Sequence, residues 1–190
     1  MKLLIIRHGQ TDGNVKGLVQ GAGLDLPLNE TGRAQAAAAA EKLLSLHLPV
    51  IYSSTMLRAR QTAEIIAAGV GCPTVAVEGL EEVHFGEAEG MLSEDAHRIY
   101  GDVFEVINNE GHPRRFDVCL PGGESIRQST ERGMKALREI AARADVPVVG
   151  VVTHGALMFN LPAAAGGRFS CNLRKTSASA RECKTKRNKR

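Results

Sequence analysis

The chain has 190 residues, 43% of them hydrophobic, and a formal net charge of +3. That length fits one domain with room for a short appendage, and no apolar run is long enough to span a bilayer. The N-terminal stretch is too short for a secretory signal, so a soluble cytoplasmic protein is expected.

In chain order, residues 2–6 read as a first strand, an unbroken apolar run. The Gly-rich "GLVQGAGLDLPLNETG" is a loop that closes on a helix start, with Asn29 as N-cap and Glu30 in the first turn. The Ala-rich "RAQAAAAAEKLLSL" is the first helix and "PVIYSS" the second strand. "TMLRARQTAEIIAAG" is a second helix, capped by Ser54 or Thr55 and stopped by Gly69. "TVAVEGL" is a third strand. Residues 93–123 are the least regular stretch, where a lid or substrate-binding insert is expected. "ESIRQSTERGMKALREIAARA" is an amphipathic helix whose inward face carries Ile126, Met134, Leu137 and Ile140. "VPVVGVVTHG" is a fourth strand, and "GALMFNLPAAAGG" begins as a helix that Pro162 should kink or end. Apolar strands alternating with helices predict a three-layer α/β/α domain with a mostly parallel sheet over residues 1–170.

The remaining segment differs in charge. Residues 174–190 hold eight Lys/Arg and one Glu, a charge of +7, which leaves −4 on the other 173 residues. Selectivity in the acidic body must come from placed residues rather than bulk charge. Residues 171–190 lack strand alternation and read as a disordered basic tail, or as a C-terminus from an altered reading frame. The cysteines Cys72, Cys119, Cys171 and Cys183 lack metal-ligand spacing and read as free thiols.

In an open parallel sheet, ligands bind beyond the carboxyl ends of the strands. His8 lies just past the first strand, in "LLIIRHGQT", and His154 just past the fourth, in "VVTHG". Each is followed by a glycine, Gly9 or Gly155, that lets backbone approach a ligand. Arg7 joins them, and Arg58 reaches the same rim from the first turn of the helix after strand two. Two arginines and two histidines suit a phosphoryl group, and helix N-termini at this edge should add N–H donors. No P-loop and no metal-type cluster is present in the sequence. Phosphoryl chemistry then needs a protein nucleophile and a separate proton donor, and a neutral imidazole can attack phosphorus.

Five segments carry a family resemblance: "RHGQT", "YSSTMLRARQTAE", "LEEVHFGEAEG", "LPGGES" and "VVTHG". In this order, over roughly residues 1–160, they resemble the motifs of the histidine phosphatase superfamily, whose fold is that of the cofactor-dependent phosphoglycerate mutases. The resemblance implies that His8 is the nucleophile and becomes phosphorylated. It implies that Arg7, Arg58 and His154 hold the phosphoryl oxygens, with Asn14 a further donor, Gly155 at the phosphate and Gln20 on the substrate side. Glu82 takes the place of the proton donor, and only the family register selects it over Glu81. His84 and Glu89 read as structural or rim residues, and His47, His97 and His112 as solvated. Gln10 stands where many relatives have Glu, and Ala88 where an aromatic is usual, which should widen the pocket.

Mutases of this superfamily carry larger inserts between the third motif and the "GES" helix; here the insert covers only residues 91–120. The expected function is therefore a metal-independent phosphomonoesterase acting on small phosphorylated metabolites through phosphohistidine, without a cofactor. The alternatives are a cofactor-dependent phosphoglycerate mutase, or an inactive domain whose tail binds polyanions. No membrane partner is expected, and nucleic acid only weakly through the tail; homodimers are common in the superfamily.

Overall fold

The computed structural model describes residues 2–164 and the backbone of two further strands, 169–172 and 180–185. The strands are β1 (Lys2–Arg7), β2 (Ile51–Ser53), β3 (Thr74–Ala76), β4 (Val148–Thr153), β5 (Phe169–Asn172) and β6 (Ala180–Thr185). The helices are α1 (Asp12–Val15), α2 (Glu30–Leu43), α3 (Leu57–Val70), α4 (Ser93–Ile99), α5 (Gly101–Asn108), α6 (Ile126–Arg143) and α7 (Gly155–Ala164). The strands form one sheet in the order β3–β2–β4–β1–β6–β5. The first four run parallel, β6 is antiparallel to β1, and β5 is antiparallel to β6. No described helix is long and apolar enough to cross a membrane.

Side chains alternate across a strand, and β1 divides its apolar residues accordingly. Leu3 and Ile5 pack with Met134, Leu137 and Ile140 of α6 and Leu157 of α7, together with Val149 and Val151 of β4. Leu4 and Ile6 pack on the other face with Ala36 and Ala40 of α2 and Ala59, Ala63 and Ile66 of α3. Continuous apolar runs in β1 and β4 are thus the signature of strands covered on both sides, and the domain is the predicted three-layer α/β/α sandwich. The predicted inward face of α6 is buried throughout. Each such Leu or Ile contributes about 1.5–3 kcal/mol by burial.

Small residues bring α2 against α3. A Cβ placed on Gly69 would lie 2.6 Å from Ala40 Cβ. Gly69 is therefore a contact point inside α3 and not its stop. The helix ends one residue later, at Val70, and is capped by Gly71, whose φ of +77° favours glycine. Asn29 caps α2 as predicted, accepting from Gly32 N at 2.9 Å. Neither Ser54 nor Thr55 caps α3: its N-cap is Met56, without a side-chain bond. Helix α7 continues two residues past Pro162.

Two regions differ from expectation more substantially. The irregular stretch contains α4 and α5, with a small core of its own: Ala88, Ala96 and Leu120, flanked by Val19, Phe85, Met91, Tyr100, Val103 and Phe104. It is stitched to the 17–20 loop by Val19 N to Met91 O (2.9 Å) and Ser93 N to Gly17 O (2.8 Å). Part of the segment expected to be without structure, Ala180–Thr185, lies along β1 as β6. Pairing there needs only backbone groups, and it covers an edge that β1 would otherwise leave open. Its first two residues, Cys171 and Asn172, end β5, and the rest of that segment, with the segment's side chains, lies outside the described residues. Cys72 and Cys119 are free thiols.

Candidate active site

The site is set by strand register. Arg7 of β1 pairs with Thr153 of β4, and Ser53 of β2 with Val152 of β4. The residues that follow, His8, His154 and Ser54, therefore emerge side by side at the carboxyl edge of the sheet. Adjacent strands lie about 4.8 Å apart, and the two imidazole centroids are 5.1 Å apart with planes inclined by 55°. His8 N still donates to Thr153 O at 3.0 Å. Beyond His8 the chain turns tightly against the start of α2: a Cβ on Gly9 would meet Gly32 O at 2.5 Å. Gly9 N donates to Thr62 Oγ1 at 3.0 Å.

His8 is held in one tautomer. Its Nδ1 lies 2.7 Å from Gly9 O, an acceptor only, so Nδ1 carries the proton. Its Nε2 accepts from Arg58 Nε at 3.3 Å. The Nε2 lone pair therefore faces the guanidinium end of the site. Burial, helped by the positive charges of Arg58 and Arg7, lowers the His8 pKa to about 3 against the opposing Gly9 bond. His154 is fully buried, and burial, then Arg58, His8, Arg132 and Arg7, hold it well below its usual value. Its Nε2 lies 2.9 Å from Ser54 Oγ, and its Nδ1 has no hydrogen-bond partner.

Arg58 extends from the first turn of α3, only 1% exposed. Its Nη2 donates to Gly21 O (2.8 Å), and its Nη1 to Leu24 O (3.1 Å) and Asp25 Oδ1 (3.2 Å). Asp25 also accepts from Leu57 N at 2.6 Å, which ties the loop to the start of α3. Arg7 is exposed and has no hydrogen-bond or ion-pair partner among the described residues. It crosses the start of α7, where a Cβ on Gly155 would lie 3.3 Å from Arg7 Cζ. Gly155 thus makes room for a free cation at the rim.

Asn14 closes the capping box of α1. Its Oδ1 accepts from Thr11 N at 3.0 Å, while Thr11 Oγ1 accepts from Asn14 N. That leaves the Asn14 NH2 group without a partner among the described residues. Gln20 is buried beneath α1, its Oε1 accepting from Thr11 Oγ1 at 2.8 Å. It supports the turn that carries Asn14.

The two adjacent glutamates part company. Glu81 accepts from Thr55 Oγ1 (2.6 Å) and Gly79 N (2.7 Å), and its carboxylate lies near Arg132. Glu82 is buried, with Oε2 accepting from Ala156 N (3.0 Å) and Oε1 from Leu157 N (2.9 Å) and Val83 N (3.0 Å). Its carboxylate therefore occupies the N-terminus of α7, a favourable place for negative charge. The expectation that this helix end offers N–H groups to phosphate needs correcting, because Glu82 takes the Ala156 and Leu157 donors. Arg132 fixes this segment from behind: it donates to Gly79 O and Glu81 O through Nη1, to Glu82 O through Nη2, and is paired with Glu124. Thr153 Oγ1 adds a bond to Leu80 O at 2.7 Å. Among the described residues, no group of three or more His, Cys, Asp or Glu is arranged to hold a metal ion.

A free arginine, a locked neutral histidine beside a second one, and a buried glutamate converge on one sheet edge. Residues 3–184 match the model of the histidine phosphatase superfamily, branch 1. The chain belongs to the histidine phosphatase superfamily. It is 34% identical over 163 residues to "Phosphoglycerate mutase-like protein 4" of Arabidopsis thaliana, covering 84% of this chain and 69% of that one. It is 36% identical over 160 residues to "Metal-independent phosphoserine phosphatase" of the same plant, covering 83% and 65%. Among solved structures, a mycobacterial glucosyl-3-phosphoglycerate phosphatase complexed with VO3 superposes with a TM-score of 0.76 at 32% identity, covering 86% of this chain and 79% of that one. Bacillus stearothermophilus YhfR gives 0.75 at 33% identity, covering 87% and 79%.

Within this family fold, sequence reasoning missed several supporting residues. Asp25 holds Arg58, Ser54 meets His154, Thr62 bonds the backbone after His8, and Arg132 with Glu124 fixes the Glu82 segment. Ser54 lies inside the second motif, but its neighbourhood to His154, 100 residues away, exists only in the sheet.

Proposed function

We infer that this member of the family is a phosphomonoesterase that hydrolyses small phosphorylated metabolites through a phosphohistidine at His8. The observation that carries the reading is the His8 tautomer: Nδ1 is committed to Gly9 O, and the unprotonated Nε2 faces Arg58, from whose Nε it accepts. A phosphoryl group entering between Arg7, Arg58, His154 and the Asn14 amide would meet donors on its oxygens and a lone pair at phosphorus. Nε2 forms the P–N bond as the P–O bond to the leaving group breaks. Glu82 delivers a proton to that leaving oxygen. Water then attacks phosphorus and gives its proton to Glu82 as the P–N bond breaks, which returns His8 to its neutral form. Nothing in this sequence of steps requires a redox or metal partner. Catalysis is otherwise positioning and charge stabilisation.

Hydrolysis is preferred to mutase chemistry because the insert is small, with little chain to shield phosphohistidine from water. The relative named as a metal-independent phosphoserine phosphatase supports this direction. A relative of Methylobacterium named as a 2,3-bisphosphoglycerate-dependent phosphoglycerate mutase, 34% identical over 148 residues, keeps the second reading in view. The test is a panel of phosphorylated metabolites, with phosphate release and phosphate migration scored separately. Release alone is expected; migration without release reverses the choice. Rapid quench should trap an acid-labile, base-stable phosphoenzyme that His8→Ala loses, and label on another residue removes His8 as nucleophile.

A further inference from the structure

We propose that Ser54 is a positioning residue that sets the tautomer of His154, making Nδ1–H a fixed donor to the phosphoryl group. The inference rests on the reading of this edge as a phosphoryl site, and it starts from hydrogen-bond accounting in a fully buried pair. Ser54 and His154 are both 0% exposed, so no solvent is available to either. Ser54 Oγ lies 2.9 Å from His154 Nε2 and also accepts from Met56 N at 3.3 Å. Two arrangements are open to a neutral imidazole.

In the first, His154 Nε2–H donates to Ser54 Oγ. The serine oxygen then accepts twice, and its own O–H has no acceptor. His154 Nδ1 is left as a bare lone pair, also without a partner. Two buried groups are unsatisfied, and the ring nitrogen among them is an acceptor, which would repel a phosphate oxygen. In the second, Ser54 O–H donates to Nε2 while its oxygen accepts from Met56 N. The proton sits on Nδ1, and that N–H is the single unsatisfied group. Leaving a buried polar group unsatisfied is costly, so the second arrangement, with one such group instead of two, is favoured. Its one open donor is the group a phosphoryl oxygen would satisfy.

Sheet geometry makes the placement permanent. The ends of β2, β4 and β1 lie side by side, so Ser54, His154 and His8 form a row, and Ser54 N is anchored to Val152 O at 2.9 Å. His154 receives from Ser54 the service that His8 receives from Gly9 O, with opposite sense. A carbonyl forces the proton onto the near nitrogen of His8, and a hydroxyl donor forces it onto the far nitrogen of His154. One ring is thereby made a lone-pair donor and the other a hydrogen-bond donor.

The test is 15N NMR of the full chain with labelled histidine, without substrate, in wild type and Ser54→Ala. Wild-type His154 should have a protonated Nδ1 and a bare Nε2; Ser54→Ala should move the proton toward Nε2. A wild-type spectrum with Nε2 protonated overturns the proposal, even if Ser54→Ala does not fold. As a second readout, inorganic phosphate should bind Ser54→Ala about 10-fold or more weakly, the loss expected for a hydrogen bond to a charged group. Ser54→Thr, which restores the hydroxyl, should return both the tautomer and part of the affinity. Unchanged phosphate affinity in a Ser54→Ala protein whose tautomer has moved also overturns it. Failure of the enzyme to hydrolyse any ester, with the tautomer as proposed, counts against the phosphatase reading and not against this one.

Discussion

Acidification should unfold this protein through His8, by an amount the structure specifies. In the unfolded chain His8 titrates near its ordinary 6.5, whereas in the folded protein burial, Arg58 and Arg7 bring it to about 3. Between those values the unfolded state holds a proton that the native state refuses. The stabilising contribution is complete above 6.5 and is lost as pH falls toward 3. Going from pH 7 to pH 5 removes about 2 kcal/mol through this one group, at 1.36 kcal/mol per pKa unit. His154 acts in the same direction. Urea unfolding of wild type and His8→Asn at both pH values isolates the His8 share. Asn cannot titrate, and its amide can still reach Gly9 O. Wild type should lose about 2 kcal/mol more than the variant over this interval. Equal losses would mean that His8 is charged or solvated in the native state and does not present a neutral imidazole to a phosphoryl group.

Glu82→Gln should slow hydrolysis of alkyl phosphates far more than of nitrophenyl phosphate, within the roughly 10²–10⁴-fold typical of general acid catalysis; Glu81→Gln, which touches Thr55, Gly79 and Arg132, should affect both substrates alike. Asn14→Asp keeps an acceptor for Thr11 but replaces the free NH2 with a carboxylate oxygen, so thermal stability should hold while kcat/KM falls by about tenfold or more, close to 1.4 kcal/mol. Gly9→Ala should destabilise by about 1–3 kcal/mol or more in urea titration, because its Cβ meets backbone at Gly32 that cannot swing aside. Removing 174–190 strips β6 from β1 and should promote self-association, seen by light scattering, while most hydrolysis remains because the described site ends at α7.

The parts of this fold that could be read from sequence are those where a local pattern coincides with burial. The apolar runs of β1 and β4 are buried on both faces, and α6 repeats its apolar residues at helical spacing above a Ser125 capping box. His8 and His154 were legible because strand ends in a parallel sheet share one edge. Elsewhere the deciding partner is distant. Helices α4 and α5 span seven and eight residues, too short to establish a period, and hold through a small shared cluster. Strand β6 pairs through its backbone, which leaves no side-chain signature. Gly69 reads locally as a helix stop, but its neighbour is Ala40 of another helix. Glu81 and Glu82 are indistinguishable by composition; backbone donors at residues 156 and 157 separate them.

The same distant partners explain how a cationic site keeps His8 neutral. A phosphate dianion calls for positive charge, and the positive charge that binds it also suppresses protonation of any histidine nearby. Here burial does most to keep His8 and His154 neutral, and Arg58 and Arg7 lower both as well, the same charges that the proposed phosphoryl group would meet. Their own charges are handled differently. Arg58 is buried and tied to Asp25 and two carbonyls, so its guanidinium is fixed and partly neutralised before ligand arrives. Arg7 is exposed and uncommitted, so it can spend its charge on the ligand. Asp25 therefore bears on His8 at one remove. Without it, Arg58 would be a buried cation lacking its carboxylate, and the Nε–H aimed at His8 would lose its fixed direction.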